Sequence, residues 1–545
     1  MNSSKIVFQN AVRGGWFKNG SRFVHTIRPT PRSSVKLQFV LLGTSCLAGY
    51  IYLNKSKGHV IHAKSTTILD SAGSQTPGLP VFRLTEVSKH DAMDKRVWVT
   101  YKHGVYDITD FVPKHPGAKN ILMAAGSSIE PFWETYAVHK NNKEVYRMLE
   151  EYRIGNLDER DFRDQSKVSD AQDPFANEPK RHPALKPSSE KPFNAETPPG
   201  MLMSSFYTPN DIFFVRSHLP TPEVNANQYE LEISGPGMAE GVLTLSDIKK
   251  FPKYTVTSVI QCGGNRRSEM NAVKALKGLN WEAGAIGNAT WSGAKLSDVL
   301  QASGVSESVV QKSKHIQFEG YDVGADGSPY GASIPLEKGM NPFGDVLLAY
   351  EMNGEPIPRD HGFPIRLVVP GVVGARNVKW LNRIILSDRE SDSHWQQNDY
   401  KGFNPSISWD DVDFSKSPAI QNMPVTSAIC TPESNELITP GKLTLKGYAW
   451  SGGGNKVIRV DITADGGKTW KEADIIKQED VTEPHHYGWT LWKVELDVPK
   501  DSESVEVWSK AVDSSYNVQP ETFENIWNLR GLLSNAYSKK IYHVK

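Results

Sequence analysis

The chain has 545 residues, with 62 Lys and Arg against 62 Asp and Glu, so its formal net charge is +0. That balance removes any bulk electrostatic case for nucleic-acid binding, and the length exceeds what one hydrophobic core organises, pointing to about three domains. Cys46, Cys262 and Cys430 are the whole cysteine complement, which excludes a disulfide framework and makes a metal or redox role for one of them the question to pursue.

Residues 1–75 read as a presequence. Lys5, Arg13, Lys18, Arg22, Arg28, Arg32, Lys36, Lys55 and Lys57 precede the first acidic residue, Asp70, and an Arg- and Ser-rich, acid-poor leader is the pattern of an organelle transit peptide. The apolar run 37–53, bracketed by Lys36 and Lys55, falls a little short of the ~20 residues that span a bilayer. A basic leader followed by a short apolar stop predicts sorting to the mitochondrial intermembrane space, with cleavage leaving a mature form outside the membrane. A retained inner-membrane anchor is the other reading.

From residue 81 to 158 the pattern predicts a small α+β unit. Residues 96–109 alternate as two strands around Lys102, His103 and Gly104, while Val145, Met148, Leu149 and Tyr152 recur at helical spacing. His115 and His139 flank an Ala- and aromatic-rich stretch. Neutral imidazole is a good iron ligand, although two surface histidines would look the same. Residues 159–199 are polar, with Pro174, Pro179, Pro183, Pro187 and Pro192, and read as a linker. Residues 200–420 alternate strand-like runs with Gly/Pro turns and short helices, as in a mixed α+β domain rich in loops. Residues 421–545 contain the strand-like runs 442–450, 457–463 and 504–512 between Gly-rich turns, which predict a β-sandwich.

The most informative segment is 261–270, where Cys262 sits beside Gly263 and Gly264 and close to Arg266 and Arg267. Positive charge favours the thiolate, the form that ligates metals or acts as nucleophile, and paired glycines let the backbone approach a bulky ligand. A buried cysteine in a turn is the alternative. Cys430 has no such neighbourhood.

This segment resembles the cysteine loop of the sulfite oxidase family. Residues 207–220, 330–335, 361–366, 374–380, 399–402 and 528–531 resemble further segments of that family in the same order. The stretch from His115 to Ala118, followed by His139, is similar to cytochrome b5, with Ala118 standing where that family has glycine. Together these resemblances cover roughly residues 80 to 545. They imply a b5-like haem domain (81–158), a molybdopterin-binding catalytic domain (200–420) and an immunoglobulin-like dimerisation domain (421–545).

The resemblance also assigns roles. Cys262 is implied as the molybdenum ligand, and His115 and His139 as the axial ligands of a b-type haem. Phe214, Val215, Arg216, His218, Asp322, His361, Arg366, Asn377, Val378 and Lys379 are carried over as the molybdopterin pocket. Arg216, Arg267 and Arg530, with Trp281 and Tyr400, are carried over as the substrate pocket. The implied activity is oxidation of sulfite to sulfate, with electrons leaving through the haem to cytochrome c, in a homodimer. A nitrate reductase-like enzyme and a haem-only electron carrier are the competing readings. The first places its haem after the molybdenum part, whereas here the haem motif comes first.

Overall fold

The structure is a computed structural model and describes residues 72–115, 121–122, 124–135, 139, 143–162, 174–324, 327–434 and 436–545. Residues 1–71 of the expected presequence, including the apolar run 37–53 and Cys46, lie outside the described residues, as do Ala118 and residues 163–173 of the expected linker.

In the N-terminal module Val81–Phe82, Arg153–Leu157, Gly104–Asp107 and Trp98–Tyr101 lie in that order in one sheet. The expected hairpin forms: Trp98–Tyr101 pairs antiparallel with Gly104–Asp107, and Lys102 takes the left-handed φ of 49° that so tight a turn asks for. The helix Lys143–Glu151 buries Tyr146 and Leu149, with Val145 and Met148 half-buried. Tyr146 joins the expected stripe because its ring packs against Tyr101 and Trp133, an amphipathic contact that a count of aliphatic positions overlooks. The module begins earlier than expected. Ala72 is buried in its core, the Gly73 N–H donates to Glu150 Oε1, and the Thr76 N–H to Asn156 Oδ1, so residues 72–75 belong to this domain.

The linker reading is also corrected from residue 174 onward. Phe175 and Leu185 are buried, and Lys186–Ser189, Asn194–Glu196 and Val215–Arg216 form a three-stranded sheet. Arg181 pairs with Glu178 and with Asp360. Proline content misled here because proline is tolerated in an edge strand, and Pro187 sits in the outer strand of this sheet.

Two five-stranded sheets build the rest of the middle domain. One runs Tyr254–Gln261, Ile286–Lys295, Leu347–Met352, Glu355–Pro356, with Arg366–Val368 also paired to Leu347–Met352. The other runs Pro329–Pro335, His315–Val323, Leu381–Ser387, Glu230–Ser234, Gly241–Thr244. The C-terminal part is the expected sandwich of two four-stranded sheets, with Gly441–Trp450, Val457–Thr463 and Ser504–Asp513 at the expected places. One face of its first sheet meets the middle domain, since Cys430, Tyr448, Trp450 and Trp489 belong to the same core cluster as Ile286, Leu348 and Val373.

Candidate active site

Cys262 lies where the strand Tyr254–Gln261 ends and the chain turns into the helix Arg267–Val273. The turn is held from three directions. A wall formed by residues 281–285 uses its carbonyls on it: Trp281 O accepts from Ser268 N, Glu282 O from Arg266 N, and Ala285 O from Cys262 N. Asn265 closes the loop, its Oδ1 accepting from Ala285 N and its Nδ2 donating to the Tyr448 hydroxyl. The C-terminal domain supplies the third support. Arg266, fully buried with a left-handed φ of 64°, donates to the carbonyls of Ser427, Ala536 and Tyr537 and pairs with Glu269. Leu533 N donates to Gly263 O at 2.9 Å. A Cβ on Gly264 would lie 2.4 Å from the Arg267 guanidinium, so glycine is the residue that leaves that arginine its place.

The wall is itself anchored by Glu196, which lies in the stretch expected to be a linker. Its buried carboxylate accepts from Glu282 N at 3.2 Å and Gly284 N at 3.0 Å. Burial pushes the Glu196 carboxyl up to about 7, against ~4.3 in an unfolded chain. The folded state therefore binds this proton more tightly, and the stability it adds is complete below pH ~4.3 and lost as pH rises through about 7. The melting temperature of the full chain should fall across that window, and Glu196→Gln should flatten the fall. Equal slopes of Tm against pH for the two proteins would contradict this.

Cys262 opens on a cleft of about 60 Å³ lined also by Phe213, Phe214, Arg216, His218, Asp322, Tyr330, His361, Arg366, Asn377, Lys379 and Tyr400. These residues come from widely separated strands and loops, as binding groups commonly do. Among the described residues, three of the cations bond only to neutral acceptors. Arg216 Nη1 donates to Asn194 Oδ1 and Ser217 O, Arg366 to the carbonyls of His361, Leu367 and Asn377, and Lys379 Nζ to Ser217 Oγ and Asp360 O.

Burial sets the protonation of this cleft. It presses Arg366 down to about 9 and His361 down to about 4. His218 is held well below its ordinary value by burial and by the Arg216 and Lys379 charges, so its imidazole is neutral. Asp322 is raised by burial and Lys379 lowered by it, each opposed by the other's charge. Burial opposes the charge of Arg216 too, but Tyr400, Cys262 and Asp399 hold its pKa above the ordinary arginine value. Burial raises Tyr400, so its phenol keeps its proton, 2.8 Å from His218 Nε2.

The other expected residues divide. Arg267, Arg530 and Trp281 flank the cleft without lining it. Arg267 donates to Gly531 O and Leu279 O. Arg530 pairs with Asp399, the residue before Tyr400, so the C-terminal segment does fold back to the site. Trp281 is fully buried in a cluster with Cys262, Phe213 and Phe214, its indole N–H without a hydrogen-bond partner among the described residues. The side chains of Val215 and Val378 are not brought into the cleft. Val215 packs with Leu185 and Ala195, and Val378 lies in the main core. Asn377 spends its side chain on the loop 369–373, bonding Val369 N and Val373 O.

This donor set suits an anionic cofactor bound to a metal through sulfur. Cys262 supplies the soft ligand, the neutral-paired cations suit a phosphate, and Asp322 Oδ1, buried without a hydrogen-bond partner among the described residues, suits a ring N–H. In the N-terminal module the His115 and His139 rings lie 6.0 Å apart between centroids, with planes 9° apart. A metal about 2 Å from one nitrogen of each ring places the centroids about 6 Å apart, so this pair has room for one iron between them.

Three family models match the chain. They are the cytochrome b5-like heme/steroid binding domain over residues 83–158, the oxidoreductase molybdopterin binding domain over 218–395, and the Mo-co oxidoreductase dimerisation domain over 417–545. The mitochondrial sulfite oxidase of Drosophila melanogaster is 54% identical over 511 residues, covering 90% of this chain and 87% of that protein. The chain belongs to the sulfite oxidase family. Gallus gallus sulfite oxidase is 50% identical over 467 residues, 85% of this chain and all of that protein. Among solved structures, the sulfane dehydrogenase of Paracoccus pantotrophus aligns with a TM-score of 0.55 at 28% identity, over 68% of this chain and 90% of that one. As a sulfite oxidase family member the chain carries molybdopterin and b5-type haem domains, and its C-terminal sandwich corresponds to the family's dimerisation domain.

Sequence reasoning missed Asn194 and Glu196. Both are polar residues alternating with buried Ala195 in the strand Asn194–Glu196, and that alternation was the available signal.

Proposed function

We propose that the protein oxidises sulfite to sulfate, with Cys262 as the protein ligand of molybdenum and the two electrons leaving one at a time through a haem held by His115 and His139. The observation that carries this reading is the buried Cys262 thiol facing a cleft in which Arg216, Arg366 and Lys379 hydrogen-bond to uncharged acceptors. When bound, the molybdenum cofactor supplies the two-electron oxidation, in which sulfite and water become sulfate with release of two protons and two electrons.

The chain's own residues bind and orient. Arg216 offers charge-assisted donors in fixed geometry to a small oxyanion, and Arg267 and Arg530 add positive charge from beside the cleft. Trp281 helps close the pocket against water. The Tyr400 hydroxyl, a donor and an acceptor, orients a substrate oxygen and is itself fixed by its hydrogen bond with the neutral His218 Nε2. Arg366, Lys379 and His361 hold the anionic end of the pterin, with Phe214, Asn377 and the backbone at Val215 and Val378 shaping the pocket around it. Asp322 Oδ1 receives a ring N–H.

We assign the mature protein to the mitochondrion and, within it, to the intermembrane space, where cytochrome c is the electron acceptor and the working form is a homodimer. Among the described residues no helix is long and apolar enough to cross a membrane. The test is sulfite-dependent reduction of ferricytochrome c by the purified chain, with the haem spectrum followed alongside. Rapid haem reduction is expected. A molybdenum-loaded protein whose haem sulfite leaves oxidised would overturn the reading.

A further inference from the structure

Arg216, Arg267 and Arg530 are held in different ways. The Arg530 guanidinium is paired with the Asp399 carboxylate, which offsets much of its charge. Arg267 is pinned by two backbone carbonyls behind the Cys262 loop. Arg216 lies in the cleft lining, and both of its acceptors, Asn194 Oδ1 at 3.0 Å and its neighbour's carbonyl, Ser217 O, at 2.6 Å, fall on Nη1. Its Nε and Nη2 make no hydrogen bond among the described residues.

Asn194 is built to hold that arrangement. It is 2% exposed, and its strand places it directly opposite Arg216. Its Oδ1 accepts from the Arg216 guanidinium and also from Ser217 N at 2.9 Å, tying side chain and backbone to one atom. Its Nδ2 donates to Ser189 Oγ and Pro192 O, both at 2.9 Å, so the amide's orientation is dictated by its partners. An acceptor is needed here, and a carboxylate would supply it only by setting its second oxygen against Pro192 O, to which Nδ2 now donates. A neutral amide leaves the arginine its full charge.

We infer that Asn194 is a positioning residue for anion binding, aiming Arg216 with an uncharged oxygen so that the whole guanidinium charge faces the substrate. The inference rests on the reading of the cleft as an oxyanion site and adds to it the residue that positions Arg216, the one of the three arginines that lines the cleft.

Asn194→Asp keeps the oxygen that Arg216 uses but adds a charge beside it and gives up the Nδ2 donor to Pro192 O, while Asn194→Ala removes the acceptor. In the full-length, cofactor-loaded protein both should raise the KM for sulfite by about tenfold or more, the scale of a lost charge-assisted contact, with kcat changed much less. Sulfate, titrated calorimetrically into the oxidised holoprotein, should weaken in parallel. A role confined to folding would lower Tm and leave KM and sulfate affinity alone. Either variant, folded and within twofold of the parent in both quantities, overturns the inference, and if the alanine protein fails to fold the near-isosteric aspartate decides it. Sulfate binding needs no turnover. A protein that binds sulfate in an Asn194-dependent way yet does not oxidise sulfite would keep this inference and remove the sulfite reading.

Discussion

Replacing Cys262 with serine is expected to leave a folded, haem-loaded protein that no longer oxidises sulfite. The loop does not depend on the sulfur for its shape: Cys262 N donates to Ala285 O, its carbonyl accepts from Asn265 N, and Arg266 is secured by the C-terminal domain. The new hydroxyl would be buried among Phe213, Phe214 and Ile260, at a cost of about 1–3 kcal/mol, which an assembly with so extensive a core tolerates. What the substitution removes is a soft thiolate, the ligand type that holds a sulfur-bound metal. A metal's electrostatic contribution runs to several kcal/mol, so turnover should fall on the order of a thousandfold or more. Cys430→Ser is the matched control. That thiol is equally buried, but it lies at the junction with the C-terminal sheet and burial pushes it up to about 12, so it stays a neutral packing group and its loss should spare turnover. A molybdenum-loaded Cys262→Ser protein that still oxidises sulfite would remove Cys262 from the site.

The second large effect concerns the haem. His139→Ala should abolish the b-type spectrum and cytochrome c reduction while sulfite oxidation persists with a small oxidant such as ferricyanide, which can take electrons at the cleft. His115 and His139 are separated by the room one metal needs, and no third residue of metal-ligating type gathers with them among the described residues. One histidine alone would leave an open iron position rather than a bis-imidazole centre built for electron transfer. A His139→Ala protein that keeps rapid cytochrome c reduction would show that electrons take another route.

Much of this site was legible in the chain because its chemistry is local. The run of Cys262, Gly263, Gly264, Asn265, Arg266 and Arg267 is a single turn, and the residues needed to shape it sit side by side. The sandwich strands were legible for a similar reason, since alternation at period two is a local pattern that survives any topology. Arg267 and Arg530 illustrate the limit. Arg267 donates to Gly531 O, 264 positions away, and no spacing rule spans such a distance.

By itself, then, the sequence determined the domain order, the strand runs of the sandwich and the glycine- and arginine-rich turn at Cys262, because each follows from neighbouring side chains. Only the tertiary structure decided that residues 174–199 are part of the catalytic domain, that Glu196 and Asn194 brace the Cys262 wall and Arg216, and that Val215 and Val378 turn away from the cleft. Those outcomes depend on which distant backbone groups remain to be satisfied once the core has closed. A buried N–H or guanidinium must find an acceptor, and the nearest one in space lay in a stretch whose composition read as a linker.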